Sequence, residues 1–198
     1  MFFLGRPETE RKPAVRYKEK AMKLRRLALS TVMLTAAFTV SCGGNPEFTT
    51  FTDDDAGFSF EYPADYKPDV LQASTEVARF AMDNQFKLPV LVATVRERRE
   101  GTEPADSAEL FIEALRTGLP GTSGFEIVER NPVVLEDGTD AAFFRIGWKW
   151  VDGSTAMETV GVAAFKDGRL IIISGTALVQ QGVSEDLAER CLSLKMIQ

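Results

Sequence analysis

Histidine is absent from all 198 residues. That absence excludes imidazole metal ligands, Ser-His and Cys-His catalysis, and an imidazole switch near neutral pH. Cysteine occurs only at Cys42 and Cys191, too few for a disulfide framework. The Walker-type phosphate loop, the G-x-G-x-x-G dinucleotide fingerprint and the G-x-S-x-G nucleophile elbow are also missing. Gly121-Thr122-Ser123-Gly124 comes nearest to an elbow, but it follows the end of an expected helix and reads as a loop.

Charge is present and unevenly placed. Residues 1–41 hold nine Lys and Arg against three Glu, a net +6, whereas residues 42–198 hold 14 against 26 acidic residues, a net −12. A basic head before an acidic body reads as an addressing segment before a separate globule. Met22-Lys23-Leu24-Arg25-Arg26 leads into Leu27 to Val40, 14 residues without a charge. These are the n- and h-regions of a secretory signal, and the run falls short of the roughly 20 apolar residues of a membrane span. Residues 1–21 match neither pattern and read as a non-native or disordered extension, with the signal at 22–41 starting from Met22. Thr39-Val40-Ser41-Cys42 resembles the lipobox of bacterial lipoproteins, with Thr39 where an aliphatic residue is usual. The resemblance implies cleavage before Cys42, lipidation of that residue and a membrane anchor on the extracytoplasmic side. The alternative is an ordinary secretory signal with an incidental cysteine. Residues 42–47, with Gly43-Gly44-Asn45-Pro46, read as a tether, and 48–198 as a single domain.

Within that domain Asp137-Gly138, Asp152-Gly153 and Asp167-Gly168 recur at 15-residue spacing, each a type I′ turn signal. The intervening segments predict a four-stranded antiparallel meander over about 132–136, 140–151, 155–166 and 169–177. Ala142, Phe144, Ile146, Trp148 and Trp150 share one strand face, with Arg145, Gly147 and Lys149 on the other. Leu170-Ile171-Ile172-Ile173 is apolar on both faces, as in a covered central strand, and Leu88–Val95 is a second such run. One helix is predicted from an Asp106 cap with Glu109 closing a capping box, burying Leu110, Phe111, Ala114 and Leu115. Another starts at a Ser184 cap and buries Leu187, Cys191 and Leu194. The fold class is therefore α+β, a curved antiparallel sheet with helices packed on it.

Gly57-Phe58-Ser59-Phe60-Glu61-Tyr62-Pro63 resembles the opening strand of the PsbP-like superfamily, which includes the extrinsic photosystem II protein and the Ran-binding Mog proteins. Phe51 would belong to the preceding strand, Asp53-Asp54-Asp55-Ala56 to the turn, and Tyr66 to the following aromatic position. Ala56, Tyr66 and Leu194 depart from the residues usual in that family. The resemblance implies an α/β sandwich, binding or assembly at a membrane surface, no catalytic residues and no cofactor.

Four local clusters bear on function. Asp53 and Asp55 could take Ca²⁺ through carboxylate oxygens, but no bidentate Glu follows at loop spacing, so a solvated turn is the favoured reading. Trp148 and Trp150 read first as core cover beneath a helix and second as a ligand or partner face. Arg96, Arg98 and Arg99, broken by Glu97 and Glu100, read as a solvated strand end. With −12 elsewhere, nucleic acid is excluded as a partner. Cys191 reads as a small buried hydrophobe. The leading expectation is a non-catalytic, lipid-anchored module that binds a protein partner or assists assembly. A carrier for a small apolar ligand between sheet and helices is the alternative, and an enzyme comes third.

Overall fold

Leu170 to Ile173 are almost completely buried, and the computed structural model shows why. The strand carrying them lies near the middle of a seven-stranded sheet covered on both faces. The structure describes residues 47–197. The expectations for 1–21, 22–41, Cys42 and the tether to Pro46 lie outside the described residues.

In chain order the elements are β1 (Phe48–Asp53), β2 (Phe58–Pro63), β3 (Tyr66–Pro68), β4 (Glu76–Met82), β5 (Val90–Glu97), α1 (Ser107–Gly118), β6 (Ser123–Val134), β7 (Asp140–Lys149), β8 (Ala156–Lys166), β9 (Arg169–Leu178), α2 (Ser184–Leu192) and β10 (Lys195–Met196). Every strand pair is antiparallel. The large sheet has the order β3-β4-β5-β9-β8-β7-β6, so the expected meander is its β6–β9 half. A small sheet, β1-β2-β10, is a separate layer.

Alternation along β7 sorts the two cores. Phe144, Ile146 and Trp148 point to the face covered by α1, where Ala108 and Ile112 meet them. Ala141 and Phe143 point to the opposite face, beneath α2 and the small sheet. There Phe58, Phe60 and Tyr62 enter the core as alternate residues of β2, and Tyr62 stacks on Phe80 at 3.8 Å between ring centroids. Gly175 lets α2 sit this close. A Cβ at that position would lie 2.9 Å from the Leu187 Cβ.

Several local expectations are corrected. The first meander strand begins at Ser123 rather than near 132, so Ser123 and Gly124 are strand and not loop. Only Asp167-Gly168 has positive φ at both residues. Asp137 and Asp152 have negative φ and leave the left-handed position to the glycine that follows. Their carboxylates accept N–H bonds, from Thr139 and from Ser154 and Thr155, at 2.8–2.9 Å. Asp106 makes no cap bond to α1. It reaches back to the Glu103 N–H at 2.8 Å, because a 3₁₀ turn over Pro104–Asp106 precedes the helix. Glu109 pairs with Arg130 instead of closing a capping box. Ser184 is the first helical residue of α2 and not its cap. In α1 the buried stripe runs through Ala108 and Ile112, with Phe111 and Leu115 partly buried, whereas Ala114 is exposed.

Candidate functional site

β7 delivers two indoles to one end of the large sheet, and they fare differently. Trp148 is 4 % exposed, stacks with Phe125 at 6.3 Å, and donates its Nε1–H to Thr159 Oγ1 at 3.1 Å. Thr159 is fully buried and also bonds the Thr176 hydroxyl at 2.9 Å, so the indole N–H ends in a satisfied polar chain. Trp150 lies one residue beyond the strand, 5.9 Å from Trp148, and is 36 % exposed. The chain turns at Trp150–Thr155 before its ring can enter the core. The expectation of core cover thus holds for Trp148 and is corrected for Trp150, which reaches solvent.

Register places other apolar side chains at the same end. Lys149 pairs with Ala156, Met157 with Leu178, Thr176 with Val90, and Val90 with Ala81. The segments just beyond those pairs carry Val151, Val179 and Phe86, all exposed, with Phe86 at 70 % and Val179 at 51 %. Gln181 joins two of the segments by donating Nε2–H to the Leu88 carbonyl at 3.3 Å. Phe48 pairs with Pro63, three residues before Tyr66, which pairs with Met82 at this end. The chain therefore joins the domain toward the same end of the sheet. Isolated exposed apolar residues are ordinary, but here four, from three loops, lie at one end of the sheet.

Asp53 and Asp55 lie at the other end. The Asp53 carboxylate accepts the Ala56 N–H at 2.9 Å and its carbonyl accepts the Gly57 N–H at 2.8 Å, closing the β1–β2 turn. The Asp55 carbonyl accepts Arg169 Nη1–H at 2.9 Å. Lys166 and Arg169 share the adjoining surface hollow, so the local field is mixed rather than acidic.

Arg145, on the opposite face of β7 from the indoles, pairs with Glu129, Glu158 and Glu185 at 3.6, 3.2 and 2.9 Å. It ties the first turn of α2 to β6 and β8. Burial pushes the Cys191 thiol up to about 12, against a weaker backbone hydrogen bond from Gly175, so the residue is an inert hydrophobe. The carboxyls of Asp137 and Asp152 are held below the usual carboxylate range. Asp152 is held at about 2, chiefly by the Thr155 hydroxyl. A general acid needs the reverse displacement.

The Arg96–Arg99 segment is not uniformly a solvated strand end. Arg98 stacks over the Phe165 ring at 4.2 Å and pairs with Glu103 at 3.5 Å. Arg96 is partly buried beside α1, at a groove of about 710 Å³. Its signal in the sequence was a cation at an inward-facing strand position, hidden by the charged residues around it. Among the described residues no helix is long and apolar enough to cross a membrane.

No family model matches the sequence, and no curated protein matches it. Solved structures do match the fold. The cyanobacterial PsbP (CyanoP) of Synechocystis sp. PCC 6803 superposes with a TM-score of 0.62 at 15 % identity, covering 79 % of this chain and 98 % of that one. The Ran-binding protein Mog1p of Saccharomyces cerevisiae gives 0.55 at 11 % identity, covering 78 % and 97 %. The fold is PsbP-like, an α+β arrangement of antiparallel sheets with two α-helices among the described residues.

Proposed function

We propose that this PsbP-like domain belongs to an exported lipoprotein, anchored through Cys42, that binds a protein partner or assists assembly at the membrane surface without catalysing a reaction. The observation that carries the reading is the apolar end of the sheet, with Phe86, Trp150, Val151 and Val179 exposed where the chain joins the domain. Five residues separate Cys42 from Phe48, six steps of chain with a reach of at most about 20 Å. An anchor at Cys42 would hold that end near the membrane. A body of net charge −12 is repelled by anionic lipid, so the patch suits a protein at the surface better than the leaflet itself. The Mog1p neighbour is described as Ran-binding, which makes protein binding a use to which this fold is put.

The test compares wild type with a Trp150→Ser/Val179→Ser pair, each purified from detergent-solubilised membranes after crosslinking. Wild type should retain one stoichiometric protein, and the folded double variant should lose it. Retention of the same protein by both would remove the apolar end from the reading.

A further inference from the structure

Small residues on α1 leave the flank of the helix open. Leu110, Glu113, Ala114 and Thr117 follow one another at helical spacing and line the groove of about 710 Å³. Across the groove stands Arg96, which pairs in register with Leu170 on the same sheet face. Leu110, Ala114 and Leu170 supply an apolar lining. The volume lies inside the range of small-molecule sites.

The polar side of the groove is incomplete. Arg96 Nε is buried with no hydrogen-bond partner. Among the described residues Arg96, Arg99, Arg116 and Arg169 form no ion pair, but Arg116 stacks over Phe125 and Arg169 donates to the Asp55 carbonyl. Arg99 also lines the groove, and the two cations disfavour one another. Glu113 is the acidic side chain of α1 that faces them and offsets one charge. Glu97 touches the groove, but its side chain alternates to the other face of β5. One positive charge is left over, beside a buried N–H without an acceptor and an apolar floor. A buried donor left unpaired is costly, and a guanidinium is shaped for an oxyanion.

We propose that this groove binds an amphiphilic monocarboxylate, its head on Arg96 and Arg99 and its aliphatic body along Leu110, Ala114 and Leu170. The assignment is independent of the anchor and of the apolar sheet end, so its failure would leave the proposed function standing. It also differs from a purely apolar cargo, because recognition requires a carboxylate at Arg96 and Arg99. The domain's −12 charge opposes an anion at long range, so recognition rests on the short-range contacts.

The test titrates the full chain with decanoate, decanol and inorganic phosphate, following heat and the Arg Nε–H resonances. Decanoate should saturate one site and shift the Arg96 Nε–H signal. Decanol and phosphate should each bind at least about tenfold more weakly, since each offers only half of the contacts. Arg96→Gln should weaken decanoate by about ten- to a hundredfold, and the exposed Arg99→Gln should weaken it by less. Arg99→Gln serves as the measure if Arg96→Gln does not fold. Equal binding of decanol, displacement of decanoate by equimolar phosphate, an unmoved Arg96 signal, or no binding at millimolar decanoate would overturn the assignment.

Discussion

Trp148 and Trp150 stand two residues apart, and their environments predict opposite consequences of truncation. Trp148→Ala removes a buried indole and should cost about 3–5 kcal/mol, read as a lower denaturant midpoint. Trp150→Ala should cost far less, because that ring is partly solvated. Thr159→Val should destabilise by about 1–3 kcal/mol, since it strands the Trp148 Nε1–H without an acceptor in the core. If Thr159→Val proved neutral, the buried chain through Thr176 would have no energetic role. Asp152 supplies a prediction in pH. Its folded carboxyl titrates at about 2, below the ordinary value of about 3.9. Its stabilising contribution is therefore complete above about pH 4 and is lost as pH falls through about 2. Carboxyl NMR titration should show that low midpoint, and Thr155→Val should raise it. An unchanged midpoint in Thr155→Val would assign the shift to another cause.

Elements were legible where a period ran without interruption. β7, β8 and β9 alternate or stay apolar over ten or more residues, and their turns carry Asp-Gly, so the meander could be read directly. β6 was shortened because it is the edge strand, mostly exposed, with bulges near Ser123–Glu126 and Ile127–Glu129 that break its period. β4 was missed for a related reason. A bulge between Glu76 and Ala78 breaks its alternation, and the Glu76–Arg79 ion pair disguises a strand whose other face holds Phe80. β10 has two residues and exists only by pairing with β2, a contact no local pattern announces. Both helix starts were placed within a few residues, yet the cap chemistry differed, since a 3₁₀ turn displaced Asp106. The groove beside α1 was illegible because it depends on what packing leaves uncovered. At this scale the packing of α2 is testable. Gly175→Ala should destabilise by about 1–3 kcal/mol, because its methyl would overlap Leu187. The penalty should shrink in a Leu187→Ala background, read by a double-mutant cycle. Equal penalties in both backgrounds would show that the close approach does not set the position of α2.

The whole molecule combines a basic, signal-like head with an acidic PsbP-like body. Both faces of its main sheet are closed by core, which leaves its ends and the flank of α1 as working surfaces. An anchor at Cys42 would decide whether the apolar end faces a membrane, so the proposed lipidation of Cys42 bears most weight. The most direct measurement is the intact mass of the native protein purified in detergent from its membranes, beside Cys42→Ser. The account predicts a wild-type chain that begins at Cys42 and carries a diacylglyceryl mass, and a Cys42→Ser chain that lacks the lipid and leaves the membrane fraction. A wild-type protein of unmodified mass, or a Cys42→Ser chain cleaved at the same bond and held as firmly, would contradict it.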